Sequence, residues 1–109
     1  MKYGNKKVVI DGEVFDSVLE GRRYEMLKLL QRAGYIKNLK HHDKFVIVSK
    51  SKYGREICYE ADFTYFERDE FVVEDCKSEA TKTPLYRLKK RLLAERYGYI
   101  IKEVTREDF

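Results

Sequence analysis

Between Cys58 and Ser78 the chain reads CYEADFTY, ERDE and FVVEDCKS, two β-branched and aromatic runs around a charged four-residue segment, and this predicts a β-hairpin. With Glu67 to Glu70 as the loop, Phe66 pairs with Phe71. Counting back along the ladder sets Asp62 directly opposite Asp75, with Lys77 leaning over the same face. Two carboxylates so placed repel by roughly 3 kcal/mol at about 5 Å and an effective dielectric near 20. The fold must compensate them. A divalent cation that prefers hard oxygen ligands is the usual means, and Lys77 is a second source of positive charge. In this register Glu60 shares the face of Asp62 and sits opposite Lys77 as a cross-strand ion pair, while Glu74 points to the other face, toward a surface charge or a helix end. Cys58 and Cys76 do not face each other and are expected to be buried thiols in a reducing compartment.

The rest of the chain supplies elements around that hairpin. Lys7 to Ile10, followed by Gly12, suggest a short strand or arm with a turn. Ser17 with Glu20 matches a capping box, and Leu19, Met26, Leu27 and Leu30 form the apolar stripe of a helix that Gly34 stops. Ile36 to Leu39 and Phe45 to Ser49 read as strands, with His41, His42 and Asp43 as a polar loop between them. The run could suggest a zinc or HNH-type nuclease site, but no Cys or further His stands at metal spacing, which favours the polar loop. Thr83 caps a second helix with Pro84 at its first position and Leu85, Leu88, Leu92 and Leu93 on its buried side; Gly98 ends it. Tyr99 to Val104 then form a strand that a crossover helix returns parallel to FVVEDCK. The predicted fold is α/β: one domain over residues 1–109, a mixed central sheet flanked by helices, in the order helix, three strands, helix, strand. With 23 Lys and Arg against 19 Asp and Glu the net charge is +4, a mild basic bias compatible with a polyanionic partner. No signal-peptide pattern and no bilayer-spanning apolar run are seen, so the expected location is the cytoplasm, with no membrane partner.

Asp62, Asp75 and Lys77, in this order of elements, resemble the motif of the PD-(D/E)xK nuclease superfamily. There an acid ends one central strand, acid-x-Lys lies on the next, and the first helix adds a Glu, the place of Glu20 here. The motif's proline is missing, since Ala61 precedes Asp62. The stretches KYGNKKVVIDGEVFDS through LEGRRYEMLKLLQRAG, and ADFTYFE through VEDCKS, more closely resemble a family of small phage and prophage proteins assigned to that superfamily. The resemblance implies a restriction-endonuclease-like core, Mg²⁺ (or Mn²⁺ in its place) held by Asp62, Asp75, Glu20 and the backbone carbonyl of Cys76, and Lys77 as the catalytic lysine. It implies a phage-type endonuclease hydrolysing DNA phosphodiesters in the host cytoplasm, with branched or junction DNA among the candidate substrates. Enzymes of this size there usually work as homodimers, because two strands must be cut.

Each residue also has a plainer role. Asp62, Asp75 and Lys77 could form a solvated surface ion pair. Glu20 could reach back to the Ser17 backbone as the capping-box partner. Arg22 and Arg23, near the same helix end, are candidates for backbone phosphates or an exposed helix face. Arg87 and Lys90 on the basic second helix, with Tyr86 beside Lys90, are candidates to face the site, against a solvated helix with snorkelling stems. Lys50, Lys52, Tyr53 and Arg55 make a basic turn suited to phosphate or base contact. The alternative function is a noncatalytic nucleic-acid-binding or phage-packaging accessory protein. Against it, opposed carboxylates would weaken metal-free DNA binding.

Overall fold

The computed structural model describes residues 6–108, Glu107 by its backbone alone; Lys2 to Asn5, the start of the stretch KYGNKKVVIDGEVFDS, lie outside them. Asp11 and Gly12, with φ of 54° and 80°, make the tight turn joining β1 (Val8–Ile10) to β2 (Glu13–Phe15). The next element, α1 (Val18–Arg32), starts at Ser17, whose hydroxyl accepts the Glu20 N–H at 3.1 Å. The hairpin lies against α1 at Gly21, where a Cβ would come within 2.5 Å of Val8 Cγ2 and 3.0 Å of Ile10 Cδ1. Gly21→Val is expected to destabilise the protein by about 1–3 kcal/mol, the usual range for forcing extra bulk into a filled contact. Urea unfolding checks this; an unchanged midpoint would mean that β1 can lift from the helix freely.

The main sheet has the order β3-β4-β5-β6, from β3 (Ile36–Val48), β4 (Ile57–Glu67), β5 (Glu70–Cys76) and β6 (Lys102–Val104). The first three are antiparallel, and β6 returns parallel to β5 after α2 (Pro84–Tyr97). The expected order of helix, three strands, helix, strand is therefore present, preceded by the small β1–β2 sheet. Between β4 and β5 the turn is tighter than expected: Glu67 pairs with Glu70 across Arg68 (φ 58°) and Asp69. Phe66 still pairs with Phe71.

Alternate residues of β5 divide the core. Val73 lies in a cluster with Ile47, Tyr59, Ala61, Tyr86, Leu93 and Ile101 on the α2 side, against which Phe71 packs. Val72 and Cys76 pack instead against Phe15, Tyr24, Leu27, Ile36, Phe63 and Tyr65 on the α1 side. Tyr59 and Ala61 belong to the first cluster and Phe63 and Tyr65 to the second, although residues two apart on a regular strand share one face. On β3, Phe45 and Ile47 likewise lie with α2, and Leu39 with α1. The paired strands thus turn over between the pairs Asp43–Ala61 and His41–Phe63, where His42 has φ 56° and stands across from Asp62.

Three expectations are corrected. His41, His42 and Asp43 lie inside one continuous β3, because left-handed residues at Asn38 and His42 absorb the irregularity within the strand. The second helix is capped by Thr83 and ended by Gly98 as expected, yet Leu85 and Leu88 are 61% and 55% exposed. Its sheet-facing side runs through Tyr86, Lys90 and Leu93, which share one face at spacings of four and three. The last strand is shorter than Tyr99 to Val104, since Tyr99 packs its ring on Phe45, Phe71 and Tyr97.

Candidate active site

The β4–β5 ladder runs as far as Phe63–Glu74, and beyond it the two acids bond to each other's strand. Asp75 Oδ1 accepts the Asp62 N–H at 2.9 Å, and Asp62 Oδ2 accepts the Cys76 N–H at 2.8 Å. Asp75 is buried and also accepts a hydrogen bond from the buried Tyr59 hydroxyl. Burial holds both carboxyls above the ordinary range; for Asp62 the charges of Asp75 and Glu20 push the same way. Backbone donors and the Lys77 charge oppose that shift.

Lys77 anchors its N–H on the Val104 carbonyl at 2.9 Å and lays its ammonium over the Tyr86 ring, 4.2 Å from the centroid. The Tyr86 hydroxyl donates to Glu103 at 2.7 Å, and Glu103 also accepts from Lys90 at 3.1 Å and pairs with Lys82 at 3.3 Å. Burial raises the Glu103 carboxyl, but those three donors outweigh it and hold it at about 2. Lys90, partly exposed, is thus bonded to Glu103 of β6. Arg87 is exposed, with Nε on the Lys82 carbonyl at 3.1 Å.

Glu20 is 4% exposed, and its carboxylate meets His42 Nε2 at 2.8 Å instead of reaching back to the Ser17 backbone, so the capping box is one-sided. Burial holds its carboxyl high, with Asp16 and Asp75 adding to the shift and His42 opposing it. Candidate ligand atoms of Asp16, Glu20 and His42 lie within 4.8 Å of one another. Asp16 and Tyr59 were not singled out in the sequence, and His42 was read there as part of a polar loop rather than as a ligand. His42 reaches this place only through its left-handed backbone, and Tyr59 reads as one more core aromatic.

Several other assignments change. Arg23 does not face a phosphate: it is buried and grips Glu74 through Nε and Nη2, both at 2.8 Å. Glu74, expected at the surface or a helix end, is fully buried in that pair. Glu60 is exposed opposite Lys44, because the turnover of β4 at Asp62 removes it from the face expected for it. Cys58 and Cys76 are free, half-buried thiols; burial keeps both above the usual range. Arg22 is exposed on α1. Lys52, Tyr53 and Arg55 are exposed on the turn bridged by Ser51 and Gly54, with Lys52 over the Tyr53 ring. That turn lies beyond Ile57, the start of β4, which is itself about 17 Å along the strand from Asp62 at about 3.4 Å per residue.

Among the described residues no helix is long and apolar enough to cross a membrane. No curated protein and no solved structure matches the chain significantly. A family model described as "Protein of unknown function (DUF1064)" matches residues 1–106, and the chain belongs to that family.

Proposed function

We propose that the protein is a divalent-metal-dependent endonuclease of the PD-(D/E)xK type that hydrolyses DNA phosphodiesters. The observation that carries this reading is the opposition of Asp62 and Asp75 at the end of the β4–β5 ladder, with Lys77 over Tyr86 and Glu20 buried on α1. Asp62 and Asp75 on the sheet and Glu20 on α1 offer oxygen donors of the kind that suits Mg²⁺ or Mn²⁺, each with lone pairs beyond the hydrogen bonds it accepts, while among the described residues the ligand atoms within 4.8 Å of one another are those of Asp16, Glu20 and His42. A cation held by Asp62, Asp75 and Glu20, with the Cys76 carbonyl, would polarise a phosphate oxygen and acidify a bound water.

The chain's own groups do the rest. Tyr59 and the Asp62 N–H keep the Asp75 carboxylate from rotating. The Tyr86 ring steadies the Lys77 ammonium, which orients the attacking water and offsets charge growing at phosphorus. The imidazole of His42 beside Glu20 adds a nitrogen donor that favours transition-metal ions over Mg²⁺. Exposed Arg22, Arg87, Lys52 and Arg55 are proposed to contact DNA phosphates. Incubation with Mg²⁺ and Mn²⁺ on plasmid, nicked, single-stranded and four-way DNA and on RNA tests the reading. Binding without cutting would favour the accessory protein, and neither would sink the nucleic-acid assignment.

Mn²⁺ is expected to raise the melting temperature, by mass action on the folded state, and to do so more at pH 8 than at pH 5. The sign follows from the acids. Glu20, Asp62 and Asp75 titrate higher folded than unfolded, so the stability they contribute is present below about pH 4 and is lost as pH rises through their folded values. Asp16, His42, Tyr59, Cys76, Lys77 and Tyr86 are titratable groups around them. A cation relieves the same repulsion as the protons do. Differential scanning fluorimetry across pH would count against the site if the Mn²⁺ shift were independent of pH.

A further inference from the structure

Charged pairs are seldom buried fully, yet the Arg23 fork closes on both oxygens of Glu74 at 2.8 Å, with side-chain exposures of 8% and 0%. The Tyr65 hydroxyl also donates to Glu74, and Lys102, its neighbour on β6, approaches to 3.9 Å. Helix α1 is thereby tied to three strands of the sheet. Position is what makes this informative. Arg23 follows Glu20 by three residues, on the same side of α1, and Glu74 immediately precedes Asp75 on β5. Each half of the pair is a near neighbour of an acid at the candidate site. A buried ion pair is weak support for stability, since apolar residues of similar volume often serve as well or better. A two-pronged contact between planar groups, however, fixes angle as well as separation.

We propose that the buried Arg23–Glu74 pair is a positioning device that fixes the angle and separation of α1, and with it Glu20, against the strands that carry Asp62 and Asp75, so that a cation can draw the helix acid and the sheet acids together. The inference rests on the metal-site reading above. Neither residue touches the cation; each acts through its neighbour.

The test is an apolar replacement of the whole device, Arg23→Met, Tyr65→Phe and Glu74→Met together, which leaves net charge unchanged and removes the pair along with the hydroxyl that donates to it. Mn²⁺ affinity is measured by calorimetry and stability by urea unfolding on the same preparations. The expected result is stability equal to or above that of the parent, with Mn²⁺ affinity lowered about 10- to 100-fold, the range found when groups that orient metal ligands are removed. Arg23→Lys, which keeps the charge but loses the fork, is expected to fall between, and it serves as the readout if the triple variant does not fold. Parental Mn²⁺ affinity in the folded variant overturns the positioning role while leaving the metal site in place. Absence of Mn²⁺ binding in the parent protein overturns the metal site and the positioning role together.

Discussion

Asp75→Asn is expected to reduce Mn²⁺-dependent DNA cleavage by about 10²–10³-fold, the scale set by loss of one group that stabilises transition-state charge, while leaving the metal-free protein as stable as the parent or more so. The opposite signs come from one cause. Asp75 is buried, and without a cation its charge pushes the Asp62 and Glu20 carboxyls up and raises the energy of the folded state. An amide of the same shape relieves that repulsion and still accepts the Asp62 N–H through its oxygen, while its NH2 donates to the Tyr59 hydroxyl oxygen in place of accepting from it. It cannot neutralise a cation, so the Mn²⁺ shift in melting temperature should shrink in parallel with turnover. Parental cleavage by a folded Asp75→Asn protein would remove Asp75 from the site.

Glu74→Ala should behave in the reverse way, as a loss of folding. It leaves the Arg23 guanidinium without its carboxylate in a buried position and the Tyr65 hydroxyl without its acceptor. Breaking one side of a buried pair typically destabilises by about 3–5 kcal/mol, a large share of the stability of a domain this size. Urea unfolding at pH 7 checks it, and a loss below about 1 kcal/mol would mean that water reaches Arg23 in the variant.

The hairpin register and both helix caps were legible because each rests on local chemistry: a polar turn between aromatic runs, and Ser17 or Thr83 ahead of an apolar face. The opposition of Asp62 and Asp75 followed from the turn alone. What stayed hidden depends on partners far along the chain. Arg23 and Glu74 are 51 residues apart, and two charged residues carry no mark of being buried together. Glu60 was misplaced because alternation was carried through Asp62, where β4 turns over. His42 was read as loop because a His-His-Asp run interrupts the apolar pattern, although a left-handed residue lets the strand continue. On α2 the leucines suggested a buried stripe, yet Tyr86 and Lys90 occupy the sheet side because Glu103 of β6 binds them there.

The turnover of β3 and β4 at His42 and Asp62 has a consequence for how the protein breathes. Two aromatic clusters, one under each helix, share these strands and exchange sides of the sheet at the acids. Amide hydrogen exchange should then resolve two protected blocks along β4, Tyr59 with Ala61 and Phe63 with Tyr65, opening with different free energies. Asp62 lies at their boundary. A ligand gripping it together with Glu20 and Asp75 would join the blocks into one cooperative unit, so protection on both sides should rise together when that ligand binds.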